Sequence, residues 1–141
     1  VTTSRTDDTA ATPLLFSPIP LRGLTARNRI VLPPMCQYLS IDGGPTDWHL
    51  VHLGRFAIGG AGIVFAEETA VEARGRKTYE CAGIYADRHV AQYRRITDFI
   101  RDMGAVPAIQ LGHVGRRAGT RGAIVPLFIS SSAGPWFGLS V

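Results

Sequence analysis

Apolar and polar positions along this chain change period several times, and each change marks an element. From Leu14 to Leu24 apolar residues alternate with Pro18, Pro20 and Gly23. That is the pattern of a short strand, a turn and a second short strand. Ile30-Val31-Leu32 is a buried-strand run cut off by Pro33-Pro34. The loop from Met35 to Thr46 contains the turn cluster Asp42-Gly43-Gly44-Pro45. Thr46 or Asp47 can cap a helix on which Leu50, Leu53, Phe56 and Ala57 share an apolar face, and Gly59-Gly60 ends it. Gly62-Ile63-Val64-Phe65-Ala66 is a continuous apolar run, too short for a helix and suited to a strand buried on both faces. A polar loop is predicted from Glu67 to about Asp87. A second helix follows, with Val90, Tyr93, Ile96, Thr97 and Ile100 on one face and Arg94, Arg95, Asp98, Arg101 and Asp102 mostly opposite. Gly104 stops it, and Val106 to Leu111 reads as a third strand with Pro107 near its start.

Buried strands alternating with helices imply right-handed βαβ units and a parallel sheet. A dinucleotide-binding Rossmann fold needs a glycine loop after a strand and before a helix. Gly59, Gly60 and Gly62 lie in the reverse order, after a helix and before a strand. Gly112, Gly115 and Gly119 do follow a strand, with Arg116-Arg117 among them, but no convincing helix follows. Polar residues gather where each strand ends: Met35, Cys36, Gln37 and Tyr38 after the first, Glu67, Glu68 and Thr69 after the second, Gln110, His113 and Arg116 at the third. In parallel α/β proteins this edge carries the chemistry.

Composition narrows the classes. The chain has 141 residues, is 45% hydrophobic and 18% charged, and carries a net charge of +4. Its fifteen basic residues are all arginine except Lys77 and are scattered rather than gathered in a stripe, so no nucleic-acid partner is expected. Two cysteines, Cys36 and Cys81, do not make a secreted disulfide framework. No ligand spacing suggests a metal, and His49 and His52 are expected to pack within the first helix. The N-terminus lacks the apolar stretch of a signal peptide and no run is long enough to span a bilayer, so no membrane partner and a cytoplasmic location are expected.

The ordered motifs have a family likeness. Leu15-Phe16-Ser17-Pro18, Asn28-Arg29-Ile30-Val31 and Pro34-Met35-Cys36-Gln37-Tyr38 resemble the opening of old yellow enzymes, most closely the bacterial subclass with a cysteine in this loop. The pattern continues through Gly60-Ala61-Gly62, Glu68-Thr69-Ala70-Val71 with Gly75-Arg76, and Gln110-Leu111-Gly112-His113-Val114-Gly115-Arg116. The likeness runs from about Leu14 to Arg117. It implies an α/β fold, the N-terminal part of a (β/α)8 TIM barrel, incomplete as given, since such a barrel takes about 250 residues.

The resemblance also implies an enzyme: an FMN-dependent oxidoreductase that takes hydride from NADPH or NADH and reduces activated alkenes. The expected partners are thus a small-molecule alkene and, when complete, further copies of the same chain. Pro33, Pro34 and Met35 would lie along the flavin, with proline holding that backbone rigid. Gln110 would pair with its pyrimidine edge, since an amide both donates and accepts. Cys36 would sit near the ring, and Thr69 beside its hydride-accepting edge. Tyr38 would be catalytic, donating a hydrogen bond to the substrate carbonyl. Glu68 stands where the family often has a small residue. Arg116 is expected to be structural or close to the cofactor, and Arg117 replaces a lysine often found there.

Three segments are expected: a flexible tail at 1–13, the N-terminal part of an FMN-binding barrel at 14–119, and a divergent or truncated tail at 120–141. The alternative function is a non-catalytic fragment that needs a partner chain to fold. An anion-binding module built on Arg116 and Arg117 is a third, more distant reading.

Overall fold

The computed structural model describes residues 12–115. Most of the expected N-terminal tail, all of the 120–141 segment, and Arg116 and Arg117 lie outside the described residues.

The alternating segment at the start is only partly extended. Leu14–Phe16 forms one turn of 3-10 helix, closed by the Phe16 N–H on the Pro13 carbonyl (2.9 Å) and by the Ser17 hydroxyl on the Leu14 carbonyl (2.7 Å). A hairpin follows. Strands β1 (Ile19–Leu21) and β2 (Leu24–Ala26) pair antiparallel, with Leu21 opposite Leu24 and Arg22-Gly23 as the turn. Arg22 takes a φ of 51°, the left-handed conformation that two-residue hairpin turns demand.

Strands β3 (Val31–Leu32), β4 (Ile63–Ala70) and β5 (Val106–Gly112) make one sheet in the order β3-β4-β5, both pairs parallel. Helices α1 (Asp47–Ile58) and α2 (Asp87–Asp102) connect them. Leu32 and Val64 of the sheet share one apolar cluster with Leu53 and Ala57 of α1 and Ile96 and Ile100 of α2. Both helices therefore cover the same face, as right-handed crossovers require.

Two expectations are corrected. The second strand does not stop at Ala66: it runs on through Glu67, Glu68 and Thr69 to Ala70. Polar residues can occupy this buried stretch because their polar atoms are satisfied inside, as described below. The β4–β5 register shifts between Ala66 and Glu68, so Glu67 is an extra residue, a bulge that re-aims the side chains after it. On α2, Val90 is largely exposed, and the fully buried position of that turn is His89, whose Nε2 lies 3.1 Å from the Asp42 carbonyl. A core-facing imidazole hides well in a hydrophobicity pattern.

The helix ends are secured by different means. Thr46 caps α1 in a capping box, with the His49 side chain reaching back to the Thr46 N–H. At the other ends, Gly60 and Gly104 adopt φ of 98° and 76°, the left-handed turn that glycine makes without strain. Arg27, just past β2, gathers these carbonyl ends. Its guanidinium donates to Ala57 (2.7 Å), Ala61 (3.0 Å) and Met103 (2.9 Å). A fixed cation there opposes the negative ends of both helix dipoles. It also places the hairpin at the N-terminal edge of the parallel sheet.

Candidate active site

The opposite, C-terminal edge collects the polar side chains. The chain leaving β3 passes through Pro33 and Pro34 and forms a loop whose centre is pinned from several directions. The Gln37 N–H donates to Glu67 Oε2 (3.1 Å), and the Gln37 side chain donates to the Met35 carbonyl (2.8 Å). Trp48 Nε1 donates to Gln37 Oε1 (3.0 Å), and the Ser40 N–H to the Glu80 carbonyl (3.0 Å). Between these anchors Tyr38 takes a φ of 55°, an uncommon conformation for a residue with a bulky side chain. The residue is 41% exposed.

Glu67 and His49 form the buried polar centre of this edge, with side chains only 3% and 5% exposed. His49 Nδ1 accepts the Thr46 N–H (2.9 Å), so the ring proton sits on Nε2, which donates to Glu67 Oε1 (3.1 Å). Glu67 thus accepts from an imidazole with one oxygen and from a backbone amide with the other. His52 packs as expected of a helix residue, stacked on Trp48 and edge-on to Phe56. Burial, and then the Arg55 guanidinium, lower its pKa. For His49 packing was too modest a reading. The Thr-x-x-His spacing from Thr46 to His49, a variant of the capping-box pattern, is the sequence signal that marks it.

Glu68 and Gln110 are register partners across β4 and β5. The Glu68 side chain also lies over Gly112, where a Cβ would collide with it. Gln110 is exposed at the strand end. Thr69 is 0% exposed, and its hydroxyl donates to the Glu67 carbonyl (2.8 Å). Cys36 is half-buried, and its thiol pKa is raised, first by burial, then by the Glu67 carboxylate, Cys81 and Glu68. It is therefore a poor nucleophile at neutral pH. Beyond β5, the His113 ring sits against Gly75, with Nε2 3.4 Å from Glu72 Oε2. Arg116, the last residue of that motif, lies outside the described residues. Among the described residues no group of three or more His, Cys, Asp or Glu is arranged to hold a metal ion, and no helix is long and apolar enough to cross a membrane.

Parallel strands joined by helices on one face, a hairpin at their N-terminal edge and a polar cluster at their C-terminal edge define the opening part of a (β/α)8 barrel, a fold whose enzymes carry their sites at that C-terminal edge. The profile of the NADH:flavin oxidoreductase / NADH oxidase family matches residues 14–127, and the chain belongs to that family of oxidoreductases. It is 40% identical over 114 residues to an NADPH dehydrogenase of Geobacillus sp. (strain WCH70), a match covering 79% of this chain and 34% of that one. An NADH:flavin oxidoreductase of Gibberella zeae is 42% identical over 110 residues, covering 78% and 27%. Among solved structures, the old yellow enzyme from Trypanosoma cruzi superposes with a TM-score of 0.73 at 26% identity, covering 87% of this chain and 36% of that one. Morphinone reductase in complex with tetrahydroNAD superposes with a TM-score of 0.68 at 27% identity, covering 75% and 29%. The chain spans 27% to 34% of the length of these curated relatives.

Proposed function

We propose that this chain forms the N-terminal part of an FMN-dependent NAD(P)H oxidoreductase that reduces activated alkenes. The observation that carries the proposal is the convergence of three segments at the C-terminal edge of one parallel sheet: the 33–38 loop pinned to Glu67, the Glu68 strand end, and Gln110 opposite it.

The residues present fit a flavin. Pro33 and Met35 are exposed beside the sheet edge, and Pro34 is half-buried, so a rigid, weakly hydrated segment is free to lie along a planar ring. Gln110 presents an amide able to donate and accept at the edge of a pyrimidine-type ring. Cys36 adjoins the same loop as a neutral thiol, able to adjust the ring's electrostatics without adding charge. Thr69 enters differently from the other residues: fully buried, it supports the strand end through the Glu67 carbonyl rather than touching a ligand. Bound FMN supplies hydride transfer, from NAD(P)H to itself and onward to the alkene. Tyr38 donates a hydrogen bond to the carbonyl that activates the alkene, where negative charge grows during reduction.

The test uses the full-length polypeptide. Purified protein is expected to carry stoichiometric flavin absorbance and to reduce an enone such as 2-cyclohexenone with NADPH or NADH. A colourless protein that takes up no FMN on titration would overturn the proposal, and flavin binding without enone reduction would remove the alkene from it.

A further inference from the structure

We infer that Glu67 is a positioning residue for the proposed reaction, acting through the Gln37 backbone to hold Tyr38 in its left-handed conformation. The inference rests on the function proposed above, because it treats Tyr38 as the substrate-facing donor.

The geometry gives Glu67 one task at each oxygen. Oε2 takes the Gln37 N–H, the amide immediately before Tyr38 in the chain. Oε1 takes the His49 Nε2–H, and His49 is itself held by the Thr46 N–H at the start of α1. The carboxylate therefore joins the bulge in β4, the N-terminus of α1 and the loop after β3. A non-glycine residue at positive φ relaxes toward the ordinary regions unless its neighbours over-determine it. Tyr38 has such neighbours on both sides: the Gln37 amide before it, and Ser40 bonded to the Glu80 carbonyl after it. Within the 33–40 loop, Glu67 provides a buried and charged anchor, and charge-assisted hydrogen bonds are the stronger kind.

The hydrogen-bond logic makes the site intolerant of an amide. A glutamine at 67 has one oxygen and one NH2 group, and both of its neighbours are donors. If its NH2 faces the Gln37 N–H, that contact is donor against donor. If it faces His49, the ring must move its proton to Nδ1, which then opposes the Thr46 N–H. Neither arrangement satisfies all partners, so Glu67→Gln loosens the loop at Gln37 or at the helix cap while keeping side-chain volume.

The experiment compares wild type, Glu67→Gln and His49→Gln in the full-length protein, using two readouts. Amide hydrogen exchange at Gln37, whose N–H is bonded to Glu67, reports the loop directly and needs no turnover. Stopped-flow measurement of the two half-reactions reports the consequence. Glu67→Gln is expected to lose protection at the Gln37 amide and to slow oxidation by the enone by roughly tenfold, as a small displacement of a catalytic group would. Flavin reduction by NADPH should change much less. His49→Gln, which leaves the Gln37 contact to Glu67 in place, should show the same pattern in weaker form. Unchanged exchange at Gln37 in Glu67→Gln, or equal slowing of both half-reactions, would overturn the inference while leaving the flavin reading intact. A wild-type protein without bound flavin would instead defeat the reading on which it rests. Should Glu67→Gln fail to fold, Glu67→Asp decides, because a carboxylate shorter by one methylene cannot reach both donors: loss of protection at Gln37 with a selective effect on the enone step supports the inference, and its absence refutes it.

Discussion

Glu68 and Gln110 stand opposite each other where β4 and β5 reach the C-terminal edge of the sheet, and paired residues leave a parallel sheet on the same side. A carboxylate is thereby placed beside the amide proposed to meet the flavin. Negative charge there opposes formation of an anionic reduced ring. Glu68→Ala is expected to raise the flavin reduction potential on the order of 30 mV, about 1.4 kcal/mol for a two-electron couple. A redox titration giving an equal or lower potential would show that the Glu68 carboxylate points away from the ring.

Tyr38→Phe should slow reduction of an enone more than it slows flavin reduction by NADPH. The loss should fall below the 10²–10³-fold seen for removal of an oxyanion donor elsewhere, because on the proposed function a complete barrel would offer the carbonyl further donors. Stopped-flow traces of the two half-reactions decide it, since a ring that only packs gives small and equal changes in both.

Cys36 offers a pH test. Burial first, then Glu67, Cys81 and Glu68, raise its pKa above the ordinary thiol value. At any given pH less thiolate is present than in a free cysteine, so alkylation by iodoacetamide should be slow at neutral pH. The rate should rise through an inflection displaced to higher pH than that of glutathione measured alongside. Cys36→Ala should shift the flavin potential without abolishing flavin binding, and an unshifted potential would separate the thiol from the ring.

Arg27→Ala should destabilise the fold by about 2–3 kcal/mol, in the range for hydrogen bonds to a charged group. It removes the donors that meet the carbonyls of Ala57, Ala61 and Met103. Arg94→Ala, at an exposed position on α2, should stay within about 0.5 kcal/mol of wild type. Denaturant melts of the two variants give the comparison, and equal effects would mean that the clamp is energetically idle.

Tyr93 makes stability depend on alkaline pH. Burial pushes its phenol up to about 12, only partly offset by the neighbouring Thr69 hydroxyl, which donates to the Glu67 carbonyl and leaves Tyr93 without a well-formed hydrogen bond among the described residues. A folded-state pKa above the unfolded one contributes stability that is complete below about pH 10 and lost as pH rises towards 12. Tyr93→Phe should reduce that alkaline loss, leaving the part carried by the raised pKa of Tyr85, and cost little at neutral pH, because the hydroxyl removed makes no well-formed hydrogen bond. A thermal melt of the variant as pH-sensitive as wild type between pH 10 and 12 would count against this.

Much of the architecture is legible in one dimension. Periodicity places both helices and the three parallel strands, because burying one face of each element is a local demand that the residue pattern must meet. The capping threonine at 46 and the glycines after each helix mark ends for the same local reason. The family motifs point to one strand edge, since Pro34 through Tyr38 and Gln110 through His113 are each a short contiguous run at the end of a strand. Pattern reading stops at Ala66, where polar residues look like a loop. Their place in β4 follows from Gln37 and His49, which satisfy Glu67 from 30 and 18 positions away.

What the amino-acid sequence determined by itself is therefore the order and type of the elements, the parallel class of the sheet and the edge at which the polar residues gather. Only the tertiary structure decided which of those residues touch. It turned Thr69 inward, set Glu68 against Gln110, and made His49 a hydrogen-bond partner of a bulged strand rather than packing for a helix. The physical reason is that a buried polar atom is stable only when its partner is in place, and here those partners come from strands, helix caps and loops far apart along the chain.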